Sequence, residues 1–140
     1  MLTKLSQRGF SSHLPKNYPK QLLINNKWVN SVKGDTFATI NPCTEEEICQ
    51  VSRAGPADID LAVTAARNAF ETGPWASSTP KDRAHLLFKI AELMERDSDE
   101  LAHLDAADNG KPFPFAKWDG GFATDVMRYY GGWADKIHGK

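Results

Sequence analysis

The sequence predicts an α+β fold in which two short β hairpins are followed by four helices. Residues 21–52 contain short β-prone runs separated by turn-forming residues. From Gly55 onward, the apolar residues recur with the 3.6-residue period of helices. Because strands and helices do not alternate along the chain, a doubly wound parallel sheet is not expected.

The β segment, residues 21–52, divides into two hairpins. Its four β-prone runs are Leu22–Ile24, Lys27–Asn30, Thr36–Ile40 and Glu47–Val51. The first hairpin turns at Asn25-Asn26, a turn-prone pair. Pro42 lacks a backbone N–H, so it is expected in the second turn or at a sheet edge. So few strands predict a β appendage rather than a closed barrel or sandwich.

The helical segment, residues 56–140, carries start and stop signals for each helix. Pro56 is tolerated in a first turn, and Asp58 places negative charge at the positive end of the helix dipole. Thr79-Pro80 gives a second helix a capping hydroxyl and a first-turn proline. A third helix is predicted from Ser98 to Asn109-Gly110, and a fourth from about Gly121.

Apolar side chains form a stripe along each predicted helix. The stripes comprise Ile59, Ala62, Val63, Ala66 and Phe70; Leu86, Leu87, Ile90, Leu93 and Met94; Leu101 and Leu104; and Phe122, Val126, Tyr129, Tyr130 and Trp133. Two arrangements fit them equally: one shared core, or the covering of a sheet supplied by later sequence. The aromatic stripe could line a tunnel, but aromatic residues at helical spacing predict core packing.

Composition places the 140 residues among ordinary globular chains, with 41% hydrophobic and 25% charged residues. No apolar run approaches the roughly 18 residues of a membrane span, so no membrane partner is expected. The basic residues after the amino-terminal segment are dispersed and outnumbered by acids. Nucleic acid is therefore not an expected partner.

Residues 1–20 form a basic tail, because all acidic residues lie at or after Asp35 while six of the 17 basic residues precede it. The stretch Arg8–Ser12 adds hydroxyl groups to this acid-free start. Such a composition predicts a mitochondrial transit peptide and a location in the matrix. The alternative is a disordered tail on a cytoplasmic protein, since Pro15 and Pro19 interrupt any helix.

The cysteines, Cys43 and Cys49, are predicted to be reduced thiols rather than a metal site. They show no Cys-x-x-Cys spacing, and the chain has no second cysteine pair. The four histidines are scattered along the sequence.

Four segments together resemble the signatures of NAD(P)-dependent aldehyde dehydrogenases, in the family's order and near its spacing. They are Leu23–Trp28, Asn41-Pro42, Asp108–Pro112 and Arg128–Lys140. The resemblance covers residues 21–140 and is nearest to the mitochondrial and cytosolic tetrameric branch. It implies an incomplete, amino-terminal part of an α/β fold with a Rossmann-type coenzyme domain, a catalytic domain and an oligomerisation arm. The hairpins would belong to that arm.

The resemblance implies oxidation of an aldehyde to a carboxylic acid by NAD(P). In the family a cysteine thiolate attacks the carbonyl, hydrogen-bond donors hold the oxyanion, and a glutamate activates water. Neither Cys43 nor Cys49 matches the nucleophile. Gly120-Gly121 and Gly131-Gly132 lack the strand-turn-helix context of a phosphate-binding turn. We therefore assign no catalytic and no cofactor-binding residue, and expect no NAD(P) binding by this chain alone.

One ligand set follows from the resemblance: a monovalent cation bound by oxygens at Thr39, Ile40 and Asp108. Oxygen ligands suit a hard cation. The alternative is that Asp108-Asn109-Gly110 only terminates a helix.

Two hypotheses about function remain. The first is a fragment of an aldehyde dehydrogenase, inactive alone, whose activity resides in a longer form. The second is a non-catalytic protein that associates with full-length aldehyde dehydrogenase subunits. In either case, the helix stripes are expected to stay partly uncovered in the isolated chain.

Overall fold

The computed structural model describes residues 18–139 and has the predicted α+β composition, with two small antiparallel sheets and four helices. The described residues form two compact units, 18–78 and 79–139. The first unit contains both hairpins and one helix, and the second contains three helices. Of the predicted basic tail, residues 1–20, all but the last three lie outside the described residues. The transit peptide therefore stays a prediction.

The first hairpin pairs β1 (Leu22–Ile24) with β2 (Lys27–Val29). Its turn residues, Asn25 and Asn26, have φ angles of 51° and 58°. Positive φ at both central residues matches the I′ turn, whose twist fits a two-residue hairpin. Asparagine tolerates this left-handed region better than most residues. The predicted tight hairpin is thus confirmed, and the Asn25-Asn26 pair allows its two-residue turn.

The second hairpin pairs β3 (Thr36–Ile40) with β4 (Glu47–Ser52) in a separate two-stranded sheet. The ladder is regular from Thr36↔Ser52 to Thr39↔Cys49 and then shifts to Ile40↔Glu47. Strand β4 therefore carries one extra residue, Ile48, as in a β-bulge.

Helix α1 (Pro56–Glu71) begins where the sequence predicts. Asp58, in its first turn, interacts favourably with the helix dipole and also accepts two backbone hydrogen bonds. The side chain is 2% exposed. Its Oδ2 accepts a hydrogen bond from the Gly55 backbone N–H at 2.8 Å, and its Oδ1 accepts one from Val32 at 2.9 Å. The carboxylate thus caps α1 and also fixes the segment between β2 and β3.

Helices α2 (Pro80–Arg96) and α3 (Ser98–Asn109) also confirm the predicted boundaries. Thr79 and Asp82 form a reciprocal capping box at the start of α2. Helix α3 ends at Gly110, whose φ of 77° lies in the left-handed region that glycine adopts without steric penalty.

Helix α4 (Phe113–Trp133) begins well before the predicted start near Gly121, so that boundary was wrong. Pro112 is extended and precedes the helix, while Pro114 lies in the first turn. Proline is compatible with a first turn because no intrahelical partner is needed there. The Gly120-Gly121 pair lies inside the helix, although glycine has a low helix propensity.

The packed centre of the second unit consists of small side chains. Helix α4 packs on both α2 and α3. The buried apolar residues there are Ala91, Ala102, Ala106, Ala107 and Ala116. Gly131 lies against Phe88: a Cβ added at Gly131 would be 3.2 Å from the ring. Among the described residues, no large side chain is fully buried.

The apolar stripes remain largely uncovered, as expected for the isolated chain. Val63, Phe70, Leu86 and Leu93 are exposed, while Ile90 and Met94 are half-buried. The prediction that the aromatic stripe of α4 forms core was wrong, because it is exposed at Phe122, Tyr129, Tyr130 and Trp133. The reason is that α4 contacts its neighbours through small residues on another face.

Candidate functional site

Thr39 and Ile40, two of the three predicted cation ligands, are neighbours in β3 at the bulge. Thr39 is half-buried, and Ile40 is 47% exposed. A bulge locally disrupts the ladder, which is compatible with carbonyl oxygens binding a cation.

Asp108, the third predicted ligand, is exposed in the last turn of α3 and belongs to the other compact unit. The structure thus brings together two of the three residues, and the cation site stays a prediction. Within residues 18–139, no group of three or more His, Cys, Asp or Glu side chains is arranged to hold a metal ion.

The Asp108–Pro112 segment forms a hydrogen-bonded junction between α3 and α4. Asn109 donates from Nδ2 to Asp105 at 2.5 Å and accepts from the Lys111 backbone N–H at 2.9 Å. Lys111 Nζ lies 2.7 Å from Asp119 and 3.0 Å from Asp105. The segment therefore terminates one helix and also fixes the start of the next.

The Lys111 ammonium is held by carboxylates from both helices. Hydrogen bonds to Asp119 and then Asp105 raise the pKa of Lys111, because both stabilise its charged form. The raised pKa keeps the ammonium protonated near neutral pH, in its ion pairs with Asp105 and Asp119. Lys111 therefore links α3 to α4 through these ion pairs. The signal for this role in the sequence is a lysine directly after the helix-terminating Gly110.

Two further ion pairs attach α4 to its neighbours. Arg128 Nη2 contacts Glu95 of α2 at 2.5 Å, and Lys117 pairs with Asp99 in the first turn of α3. The acidic run from Asp97 to Glu100 lies at the start of α3, with Asp99 and Glu100 in its first turn. The run carries ion-pairing rather than catalytic carboxylates.

The two cysteines lie in different environments. Cys49 is buried in β4, whereas Cys43 is exposed in the turn between β3 and β4. A side-chain hydrogen bond to Cys49 raises the pKa of Tyr18, and burial adds to the shift. This arrangement packs Tyr18 against Cys49 of the second hairpin.

A groove of about 350 Å³ lies between the first hairpin and α1. Its apolar wall includes Val29, Val32 and Leu61. The Asp58 carboxylate also borders it, but both of its oxygens accept backbone hydrogen bonds. The groove is therefore a concave apolar surface. Its carboxylate stabilises the fold through backbone hydrogen bonds and has no assigned acid–base role.

The described residues do not fit a dinucleotide. Both glycine pairs, Gly120-Gly121 and Gly131-Gly132, lie within α4 rather than between a strand and a helix. The strands of residues 18–139 pair only as antiparallel hairpins, so no parallel strand leads into a helix amino terminus.

The order of hairpins and helices in residues 18–139 is shared with a solved aldehyde dehydrogenase. The sequence profile of the aldehyde dehydrogenase family matches residues 28–140. The chain belongs to the aldehyde dehydrogenase family.

Relatives from fungi and mammals agree with this assignment. The chain is 53% identical over 123 residues to an aldehyde dehydrogenase of Alternaria alternata, covering 87% of this chain and 24% of that protein. It is 45% identical over 128 residues to mitochondrial aldehyde dehydrogenase of Rattus norvegicus, covering 90% and 25%. The chain thus spans about a quarter of the length of the curated relatives it matches.

Solved structures share the fold of the described residues. An aldehyde dehydrogenase of Bacillus cereus in complex with NAD⁺ matches with a TM-score of 0.85 and 46% identity, over 89% of this chain and 26% of that one. A betaine aldehyde dehydrogenase of Staphylococcus aureus in complex with NAD⁺ matches with a TM-score of 0.87 and 32% identity, over 93% and 26%.

Proposed function

We propose that these 140 residues are the amino-terminal portion of an NAD(P)-dependent aldehyde dehydrogenase, which oxidises an aldehyde to a carboxylic acid. The observation that carries the proposal is the match of four-fifths of the chain to the family, together with a TM-score of 0.85 to an NAD⁺-bound member. The portion supplies a hairpin unit and a three-helix unit to the larger fold.

The catalytic residues are assigned to the three-quarters of the family's length that this chain does not match. The reaction needs a thiolate nucleophile, an oxyanion site, a base and a coenzyme site. Cys49 is buried beside Tyr18, and the glycine pairs are helical. Residues 1–140 alone are therefore inactive and do not retain NAD(P).

Location and ion binding complete the proposal. The basic tail of residues 1–20 directs the protein to the mitochondrial matrix, in keeping with mitochondrial relatives in rat and human. Oxygens at Thr39, Ile40 and Asp108 bind a monovalent cation in the longer protein.

A second candidate function is association with aldehyde dehydrogenase subunits as a separate, non-catalytic chain. The exposed aromatic residues of α4 favour it, because such residues are expected to be covered in a stable protein.

The test is a chimera. Residues 28–139 replace the matching segment of the Alternaria alternata enzyme, and NADH formation is measured with acetaldehyde as substrate. The chimera should oxidise aldehyde at a rate within about tenfold of its parent, because substitutions away from the reacting groups usually change the rate little. The parent enzyme carrying only the junction changes is the control.

Two results contradict the proposal. One is a folded chimera that does not oxidise aldehyde. The other is NADH formation by purified residues 1–140 that persists after Cys43→Ala and Cys49→Ala.

A further inference from the structure

Asn109 differs from the other asparagines of the chain in the residue that follows it. The sequence has seven asparagines, and only Asn109 precedes a glycine. The backbone nitrogen that follows an asparagine can attack the side-chain amide, and glycine hinders this attack least because it has no Cβ. Asn109 is therefore the asparagine at which the chain is expected to deamidate first.

The surroundings of Asn109 favour addition to its side-chain amide. The residue is exposed at the carboxyl end of α3, so water reaches it. Its Oδ1 accepts a hydrogen bond from the Lys111 backbone N–H at 2.9 Å. Such a donor stabilises the negative charge that develops on Oδ1 when a nucleophile adds to Cγ. The position thus combines a polarised amide, an unhindered neighbouring nitrogen and access to solvent.

Two hydrogen bonds and the backbone conformation oppose this reaction while α3 is intact. The Gly110 backbone N–H, whose nitrogen is the nucleophile, donates to the Ala106 carbonyl at 3.0 Å. The leaving group, Asn109 Nδ2, donates to Asp105 at 2.5 Å. Asn109 is also helical, whereas closure of a five-membered ring needs a more extended backbone there. The reaction therefore requires the last turn of α3 to open.

We propose that Asn109 is a site of spontaneous deamidation whose rate is set by the opening of the last turn of α3. On opening, the Gly110 nitrogen bonds to Cγ of Asn109. The Cγ–Nδ2 bond breaks, and ammonia leaves with the proton of the Gly110 amide. Water then opens the cyclic imide at either carbonyl and leaves aspartate or isoaspartate at position 109. The reaction needs water alone and does not depend on the proposed aldehyde oxidation.

The product weakens the turn that delayed its formation. In the unmodified chain Asp105 Oδ1 accepts a hydrogen bond from Asn109 Nδ2. A carboxylate at position 109 has no hydrogen to donate, and its charge repels that of Asp105. Isoaspartate also adds one carbon to the backbone, which displaces the acceptor of the Lys111 N–H. Deamidation therefore converts a transient opening at the end of α3 into a permanent one.

The test measures aspartate and isoaspartate at position 109 by peptide mass spectrometry during incubation near neutral pH. The chimera described above is compared with a synthetic peptide of residues 105–114, which has no stable helix to open. The chimera should deamidate at least about tenfold more slowly than the peptide, because its last α3 turn must open first. Neither readout uses aldehyde oxidation, so the result does not depend on the activity of the chimera.

The decisive variant is Asp105→Ala in the chimera. It removes the acceptor of Asn109 Nδ2 and should accelerate deamidation by about tenfold or more. Asp105 also pairs with Lys111, so the matched control is Asp119→Ala. This control removes the other carboxylate partner of Lys111 and leaves the Asn109–Asp105 contact in place. It should stay within about threefold of the unchanged chimera, because such ion pairs contribute little.

Hydrogen exchange of the Gly110 amide, measured in the same samples, reports the opening itself. The deamidation rates should follow the exchange rates across the chimera, both variants and the peptide, and a variant that unfolds should match the peptide in both. Equal acceleration by Asp105→Ala and Asp119→Ala would overturn the proposal. So would deamidation of the chimera at the peptide's rate while the Gly110 amide stays protected, or no product in Asp105→Ala despite rapid exchange.

Discussion

The Asp58 carboxylate accepts a hydrogen bond from the backbone N–H of Val32, 26 residues earlier in the chain, at 2.9 Å. The same side chain accepts from Gly55 at the start of α1. One buried residue thereby joins the segment after β2 to a helix amino terminus. This contact explains why Asp58, rather than the exposed Asp60, is the structural acid of α1.

Replacing Asp58 is predicted to loosen this joint. Asp58→Ala removes the shared acceptor of two part-buried hydrogen bonds, and a hydrogen bond to a charged group contributes about 1.5–3 kcal/mol. Amide hydrogen exchange at Val32 and Gly55 should accelerate by about tenfold or more. Asp60→Ala, at an exposed position of the same helix, is the control and should leave both rates unchanged. Unaltered exchange in Asp58→Ala would refute the assigned role.

Gly131 and Gly132 are predicted to differ sharply in their tolerance of a methyl group. A Cβ at Gly131 would lie 3.2 Å from the Phe88 ring, whereas one at Gly132 meets nothing within 4 Å. Gly131→Ala should therefore destabilise the chimera by about 1–3 kcal/mol. Gly132→Ala should be neutral or stabilising by about 0.5–1 kcal/mol, since alanine favours helix. Thermal melts measure both, and Phe88→Leu should partly rescue Gly131→Ala.

Acid is predicted to weaken the start of α2 through Asp82. Hydrogen bonds from Thr79 lower the pKa of Asp82 below its ordinary value. Because the folded-state pKa is the lower one, this stabilisation is complete above the unfolded pKa and is lost as pH falls through the folded pKa. Helicity of residues 79–85 should thus decrease below about pH 4. NMR titration follows it, and Asp82→Asn should remove the acid-dependent part.

Isolated residues 1–140 are predicted to be molten rather than tightly packed. Among residues 18–139, the buried apolar residues are Cys49 and alanines, and Phe70, Trp118 and Phe122 are more than half exposed. Far-ultraviolet dichroism should be helical, near-ultraviolet dichroism weak, and a hydrophobic dye should bind. A sharp cooperative melt with strong tryptophan dichroism would mean that the chain closes its own core.

The basic tail is predicted to act as an import signal. Residues 1–30 fused to a fluorescent reporter should direct it to mitochondria, because the segment is basic, hydroxyl-containing and free of acids. Lys4→Glu with Arg8→Glu should leave the reporter in the cytosol. Lys27→Glu, the matched control near the end of the fused segment, should not. A diffuse reporter with the unchanged tail would disprove the signal.

The ends of helices were predictable where a single residue type strongly favours one local conformation or one capping hydrogen bond. Thr79 and Gly110 defined helix ends through capping and left-handed geometry. The start of α4 was missed because Pro112 and Pro114 resemble a break, although each is compatible with a helix beginning at that point.

Burial and the site geometry were less predictable, since both depend on contacts distant in sequence. Helical periodicity locates a stripe but does not say which neighbour covers it, so the α4 aromatics were assigned to a core. The partners of Asp58 and Lys111 are set by tertiary geometry. For the predicted cation ligands, Thr39 and Ile40 are adjacent in sequence, whereas Asp108 belongs to another unit.

The small residues of α4 must stay on its packed face, so the number of residues in this helix cannot change without disturbing the packing. One residue inserted after Thr124 would rotate the following segment by about 100° and place Tyr130 where Gly131 now meets Phe88. The same insertion between Thr72 and Ser78, outside the helices, would displace no packed side chain of α4. Among homologous chains, gains and losses of single residues should therefore accumulate in that connection and be absent from α4.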